Sequence, residues 1–445
     1  MVSDSPVYNV KISSVGPGRA TVGEVVQHYG GLDLAMKLHY LRGVYFLGKA
    51  AAEGMTTTHI KESMFLLCND YYMTCGRFRR SVGSGRPYMK CNDCGARFLE
   101  AQCDLTLEEW LDGYFSGNAS WNIGQLVYHL PVGPELFFSP PVYLQVTKFK
   151  CGGMSLGMSW AHILGDIYTA TDFINNWGGY LAGHKSNGPF HQQAQPILNR
   201  PLLPTSPNGQ TPEPLSLKRV DPVGDHWVTA NNFKMETFSF RLTATQAAQI
   251  TARQTHNKSK KPSLFESITA AIWKSIAKIR EGINEPKRVT IIRKTNSSQD
   301  PMTGNNRIAI GSVSAEFSVA DSDSGDLAGW LSDRIGELAD EKNLIDEAVE
   351  RDDGASDYVV YGANLTFVDL AGADLYGLES NGQGPEFVCY EVQGVGDEGA
   401  VVVVPWPKSS DGEGNEGRVV TAILPEEEVE KLKLELRKIG VLEED

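Results

Sequence analysis

The sequence predicts an α/β protein built as two comparable halves joined by a long crossover. At 445 residues the chain exceeds the ~250–300 residues beyond which one hydrophobic core stops growing. From about residue 185 to 215 it carries seven prolines among Gln, Asn and Ser with no apolar period. Proline donates to neither a helix nor a sheet ladder, so this stretch reads as an extended connection. On either side of it, short strand-like runs interleave with segments of helical periodicity. The expected division is therefore 1–184, a crossover at 185–220, and 221–445.

In the first half, "LDLAMKLHYLRGVYFLG" (32–48) reads as a mixed segment and "HIKESMFLLCNDYYMTCGRF" (59–78) as an amphipathic helix, with short strands in "PYMKCNDCGARFLEAQCD". "VYLQVTKFK" and "MSLGMSWAH" flank "CGG" as a hairpin. Its second arm alternates Met154, Leu156, Met158 and Trp160 on one face with Ser155, Gly157 and Ser159 on the other, a period of two that places His162 just past the strand end. Ile167, Ala170, Ile174 and Trp177 then recur at helical spacing, and Gly178 and Gly179 are expected to stop the run.

In the second half, Ser263 and Glu266 have capping-box spacing, and Phe265, Ile268, Ile272, Ile276 and Ile279 form one apolar stripe. Strands are expected in "RVTIIRK", "RIAIGSVSAEFSV", "NLTFV", "EFVCYEV" and "GAVVVVPW". "LPEEEVEKLKLELRKIG" starts at a proline with acids in its first turn and bases in its last, matching the helix dipole. "SSDGEGNEG" (409–417) is read as a solvated loop.

Apolar residues make up 41% and charged residues 22% of the chain, and the net charge is −14. Such an acidic surface repels phosphate backbones, and the longest basic cluster, "NKSKK" at 257–261, is too short to reverse that; nucleic acid is excluded as a partner. Seven cysteines without regular spacing fit a reducing compartment better than a disulfide framework. "MVSDSPVYNVKISS" lacks signal architecture, and no run approaches about 20 apolar residues, so no membrane span is expected. The cytosol is the expected location, or a cytosolic membrane surface reached through a partner.

"CNDCG" (91–95) is a C-x-x-C, but no second pair of ligands follows at usable spacing, so two ordinary thiols are expected and no metal. "GRFRR" offers Arg77, Arg79 and Arg80 to a phosphate such as that of coenzyme A; a solvated strand edge is the alternative reading. "GVGDEG" (394–399) precedes a strand rather than a helix, so it reads as a turn. His162 and Asp166 form an H-x-x-x-D. An imidazole at a strand end beside a domain boundary suits a general base in acyl transfer; the alternative is a histidine that merely hydrogen-bonds backbone.

"FKCGGMSLGMSWAHILGD" closely resembles the H-x-x-x-D region of the plant BAHD acyltransferases, and "LDLAMKLHYLRGVYF", "CGRFRR", "YMKCNDCGARFLEA" and "SLFESITAAIWKSIAKIR" agree in the same order. The resemblance covers essentially the whole chain. It implies two chloramphenicol-acetyltransferase-like domains of mixed sheet plus helices, with a solvent channel running between them to the histidine. It implies His162 as general base and Asp166 as a structural, orienting residue paired with an arginine, Arg293 being the candidate. Ile167 stands where the family has Gly after the Asp. The second hallmark, D-F-G-W-G, is replaced by Glu379-Ser380-Asn381-Gly382-Gln383, which implies a remodelled domain interface.

"SWAHILGDIYTATDF", "YGANLTFV" and "GVGDEGAVVVV" look most like the Eceriferum/Glossy clade of that family. That likeness implies a role in very-long-chain fatty acid elongation for cuticular wax at the cytosolic face of the endoplasmic reticulum. The chain would act as an accessory factor to a 3-ketoacyl-CoA synthase. The alternative it implies is an acyl-CoA-dependent transferase moving an acyl group to an alcohol or amine with His162 as base. No tightly bound cofactor is expected, and acyl-CoA is the expected substrate or ligand.

Overall fold

The structure, a computed structural model, describes residues 5–116, 121–183, 212–252, 261–282, 284–295, 304–407 and 417–442. Most of the crossover, most of "NKSKK" and nearly all of "SSDGEGNEG" lie outside the described residues.

Two six-stranded mixed sheets organise the chain. The first runs, edge to edge, Val7–Val15, Ala96–Cys103, Val142–Phe149, Met154–Ala161, Tyr40–Leu47 and Phe387–Gln393. The second runs Met235–Leu242, Arg418–Pro425, Ala400–Pro405, Leu365–Asp369, Arg288–Lys294 and Ile308–Ser314. In the first sheet only Ala96–Cys103 and Val142–Phe149 pair in parallel; in the second, Leu365–Asp369 is parallel to both its neighbours.

One strand after the expected boundary, Phe387–Gln393, pairs with Tyr40–Leu47 in the first sheet. The "GVGDEG" turn therefore carries the chain from one sheet to the other. Gly394 has φ +79°, and a Cβ there would lie 2.0 Å from the carbonyl of Leu38, so glycine is what lets the turn press on the first half. The apolar core around the first sheet continues without a break into Ile292, Ile308, Val368 and Val402 of the second. Behind the second sheet, the helices Leu264–Ile279, Ser324–Gly336 and Glu426–Lys438 bury a separate core. The Ser263–Glu266 capping box forms as the spacing predicts.

Met154–Ala161 is buried at every position, on both of its alternating faces. Its small face is small because another segment crosses it: a Cβ on Gly157 would sit 2.0 Å from the carbonyl of Leu126. The Gly178-Gly179 pair does not end its helix, which runs Ile167–Leu181. A Cβ on Gly178 would lie 2.8 Å from the carbonyl oxygen of Glu379, so close backbone approach outweighs the ~1 kcal/mol that glycine costs inside a helix.

That approach brings in the segment that replaces D-F-G-W-G. The Ser380 hydroxyl donates to the carbonyl of Ala51 at 2.7 Å, and Asn381 Nδ2 donates to that of Glu53 at 2.8 Å. Asn381 adopts φ +53°, a left-handed conformation that asparagine tolerates better than most residues. The segment thus clasps the first half through polar contacts rather than through a buried Phe and Trp.

Candidate active site at the junction of the two sheets

Tyr40–Leu47 and Met154–Ala161 are antiparallel neighbours, and the residues at their adjoining ends are His39 and His162. The His162 amide donates to the carbonyl of His39 at 3.0 Å. The second half closes over both rings. Val360 N–H donates to His39 Nε2 at 3.0 Å, which leaves the proton of a neutral His39 on Nδ1. The Tyr361 hydroxyl is hydrogen-bonded to His162 Nε2 at 2.9 Å. His39 and His162 are 0% exposed and Tyr361 3%, so the open channel that the resemblance implies does not reach this imidazole.

Burial sets the chemistry of these groups. It holds His162 down at about 4 and His39 at about 3, where the nearby His162 adds to the effect. It pushes the Tyr361 phenol up. The result is a neutral imidazole whose Nε2 is already engaged by a neutral phenol.

Asp166 turns to other work. Its Oδ1 accepts the backbone N–H groups of Tyr168 and Thr169 at 3.1 and 3.0 Å, capping the helix Ile167–Leu181. Its Oδ2 accepts the amide of Arg307 at 2.9 Å. The arginine facing it is Arg307, with Nε 4.0 Å from Oδ1, and not Arg293. Arg293 lies on an inner strand of the second sheet, and its guanidinium donates to the carbonyl of Ile335. Arg307 instead enters from the loop that crosses the first turn of the helix, where it also pairs with Asp172 at 2.7 Å.

That loop fixes the H-x-x-x-D turn from outside. The carbonyl of Gly304 accepts the Asp166 amide at 3.0 Å. Asn305 Nδ2 bridges the carbonyl of His162 at 3.0 Å and Asp33 Oδ1 at 2.9 Å. Asp33 is raised to about 6, chiefly by burial. Gly304, Asn305 and Arg307, with His39 and Tyr361, are the site residues that the sequence reading does not single out. "LHY" and "YGANLTFV" contain the last two, but no spacing joins positions so far apart in the chain.

On the other side of Tyr361, a narrow crevice of about 10 Å³ lies between the two sheets. Leu41, Ile167, Ile292, Val368 and Val402 line it, so it is apolar, and Ile167 takes part through the side chain that replaces the family's glycine. The other motifs do not join the site. Arg77 is buried and donates to the carbonyls of Gly76 and Cys94, while Arg80 pairs with Asp225. Cys91 is buried and Cys94 exposed, and all seven cysteines are free. Asp93 between that pair accepts from Thr21. Among the described residues, no cluster of His, Cys, Asp and Glu could hold a metal, and no helix is long and apolar enough to cross a membrane.

These burials predict a pH dependence. Unfolded histidines titrate near 6.5, so below that pH the unfolded chain takes protons that folded His39 and His162 refuse, and stability falls from about pH 6.5 toward 4. Half-buried His129, held at about 3 chiefly by desolvation, adds to the loss. Asp33 opposes it between about 6 and 4, because its folded form binds the proton more readily. Asp166, Asp172 and Asp369, also raised by burial, oppose it in the same sense; because the three rings are displaced across the whole window below 6.5, urea unfolding is expected to show a net loss of stability between pH 7 and 5. A flat or rising profile would mean that the rings are not held neutral.

Comparison with known proteins is consistent with this architecture. The Transferase family model matches residues 31–438. The Arabidopsis thaliana protein ECERIFERUM 26 is 43% identical over 440 residues, covering 98% of this chain and 97% of that protein. Vinorine synthase has the same fold, with TM-score 0.65 at 16% identity over 99% of each chain. So does F. graminearum TRI101, whose structure holds coenzyme A and T-2 mycotoxin, with TM-score 0.65 at 13% identity over 92% of this chain and 97% of that one.

Proposed function

The chain belongs to the Transferase family, the family that its sequence resembles as BAHD, and on that premise we propose that it serves very-long-chain fatty acid elongation for cuticular wax as an accessory factor to a 3-ketoacyl-CoA synthase, without needing transfer chemistry. One observation carries the second part of this reading: the atom that would take a proton from an acceptor, His162 Nε2, is hydrogen-bonded to Tyr361 and shut from solvent. A general base must reach the proton it removes directly or through one water. The elongation role itself is supported by likeness to the ECERIFERUM protein. The proposed setting is the cytosolic face of the endoplasmic reticulum, with acyl-CoA as the shared ligand.

The second reading, an acyl-CoA-dependent transferase with His162 as base, is favoured by the intact His162–Asp166 pair and by a fold shared with a coenzyme A-binding protein. Co-expression with a 3-ketoacyl-CoA synthase in a host that makes very long acyl chains separates the two. With His162→Ala, the shift in product length is expected to persist at close to the wild-type extent. Disappearance of the longer products while folded protein accumulates normally would support the transferase.

A further inference from the structure

The outer strand of the second sheet, Ile308–Ser314, pairs with Arg288–Lys294 on one side only. Ala315 N–H donates to the carbonyl of Lys287, and Thr295 N–H to that of Arg307. Alternation along an antiparallel pair then turns the backbone groups of Ile308, Ile310, Ser312 and Ser314 outward. The first part of that edge is covered from within the chain. Glu341 N–H donates to the carbonyl of Ile310 at 2.7 Å, Ile310 N–H to Asp340 Oδ1 at 3.2 Å, and Ser312 N–H to Glu341 Oε1 at 3.1 Å. The cover ends there. Among the described residues, the Ser312 carbonyl and the N–H and carbonyl of Ser314 have no hydrogen-bond partner.

Beside these groups lies a cavity of about 440 Å³, within the roughly 300–1,000 Å³ of ligand sites. Ser312 and Ser314 line it from the strand, Phe317 from the turn that follows, and Trp330 and Arg334 from the helix Ser324–Gly336. The rings of Phe317 and Trp330 meet edge to face at 5.2 Å, and the Arg334 guanidinium lies 5.7 Å from the Trp330 ring centre. We infer that this groove is a docking site for an extended segment of a partner protein, which adds to the sheet beside Ser312–Ser314 and sets a large apolar side chain against Trp330 and Phe317. The inference goes beyond the reading above and does not depend on it. Ser314 lies about 20 Å along the strand from Ile308, the residue that lines the crevice beside Tyr361.

The backbone groups select the occupant. Acceptor, donor and acceptor in succession along an edge are matched by the amides of another strand, whereas an alkyl chain offers nothing to pair with them. A second copy of this chain would bring an edge already covered by its own Asp340 and Glu341 as far as Ser312, leaving it little to pair. Open edges invite strand addition, and proteins blunt them with lysine, proline or a bulge. The outer strand of the first sheet, Val7–Val15, carries both Lys11 and a register shift between Tyr8 and Lys11. Ser312-Val313-Ser314 has neither lysine nor proline, and its register is unbroken.

The test is fluorescence anisotropy of the fluorescein-labelled peptide KTVTFTVTK, whose valines and phenylalanine share one face, against the purified full chain. Saturable binding is expected below about 1 mM. The same peptide N-methylated at its five central amides cannot pair as a strand and should bind at least about tenfold more weakly. Ser314→Pro removes only the outward N–H, a place where an edge strand accepts proline. It should weaken the unmodified peptide to a similar extent without lowering the melting temperature, and Trp330→Ala should weaken it through the lost apolar contact. Absence of saturable binding, equal binding of the two peptides, or undiminished binding by folded Ser314→Pro protein overturns the proposal. The peptide comparison uses wild type, so it decides even where a variant does not fold. Sedimentation velocity of the chain alone reads the other occupant: a dimer that Ser314→Pro dissolves would place a second copy on this edge and overturn the assignment to a partner.

Discussion

Replacing Asp166 with alanine is expected to cost ~3–5 kcal/mol of stability, a large share of the ~5–15 kcal/mol that holds a typical domain folded. The carboxylate is 0% exposed and accepts three backbone N–H groups, those of Tyr168, Thr169 and Arg307. Alanine leaves those donors without that acceptor, at ~1–3 kcal/mol for each one left unsatisfied, and removes the helix cap, worth about 1 kcal/mol. It also takes the nearby negative charge away from Arg307. Asp166→Asn keeps one oxygen for the cap but turns an amide NH₂ toward the Arg307 amide, so an intermediate loss is expected. Urea unfolding followed by both circular dichroism and tryptophan fluorescence measures this. Alanine within about 1 kcal/mol of wild type would mean that the turn is held by the loop alone. Any loss of function in Asp166→Ala should accordingly follow loss of folded protein.

Asp357→Ala is expected to be equally severe. Lys37 Nζ lies 2.5 Å from Asp357 Oδ1, with side chains only 2% and 5% exposed, and Asp357 Oδ2 also accepts the amide of Val223 at 2.7 Å. Removing the carboxylate strands an ammonium where water does not reach it, at ~3–5 kcal/mol, whereas replacing both ions with apolar side chains of similar volume costs far less. The double variant Lys37→Met/Asp357→Leu should therefore be more stable than Asp357→Ala. A double-mutant cycle in urea reads the difference, and strictly additive losses would show that the two charges do not interact. Because Lys37 belongs to the first half and Asp357 to the second, the single variant should also loosen the contact that holds Tyr361 over His162.

Much of the site's framework is legible in the residues themselves. The period of two in "MSLGMSWAH" places His162 just past a strand end, and the Ser263–Glu266 spacing announces a helix start that forms as expected. The glycine expected to stop a helix misleads for a physical reason. Gly178 reads as a helix stop, whereas it accommodates the Glu379 backbone passing close by, just as Gly157 accommodates that of Leu126. Local signals report what a residue does to its own backbone; they carry no record of which distant backbone needs the space.

The same distinction separates what each level decided. The sequence by itself determined the family, the mixed α/β class, and the presence of an imidazole and a carboxylate at H-x-x-x-D spacing, because these depend on residue type and on separations of a few positions. Only the tertiary structure decided what the two groups face. Tyr361 and Arg307 lie 199 and 141 positions from His162 and Asp166 along the chain, and it is the packing of one sheet against the other that turns the imidazole toward a phenol and the carboxylate toward a loop. Hydrogen bonds act over about 3 Å, whatever the distance along the chain, so the availability of His162 is a property of that packed junction.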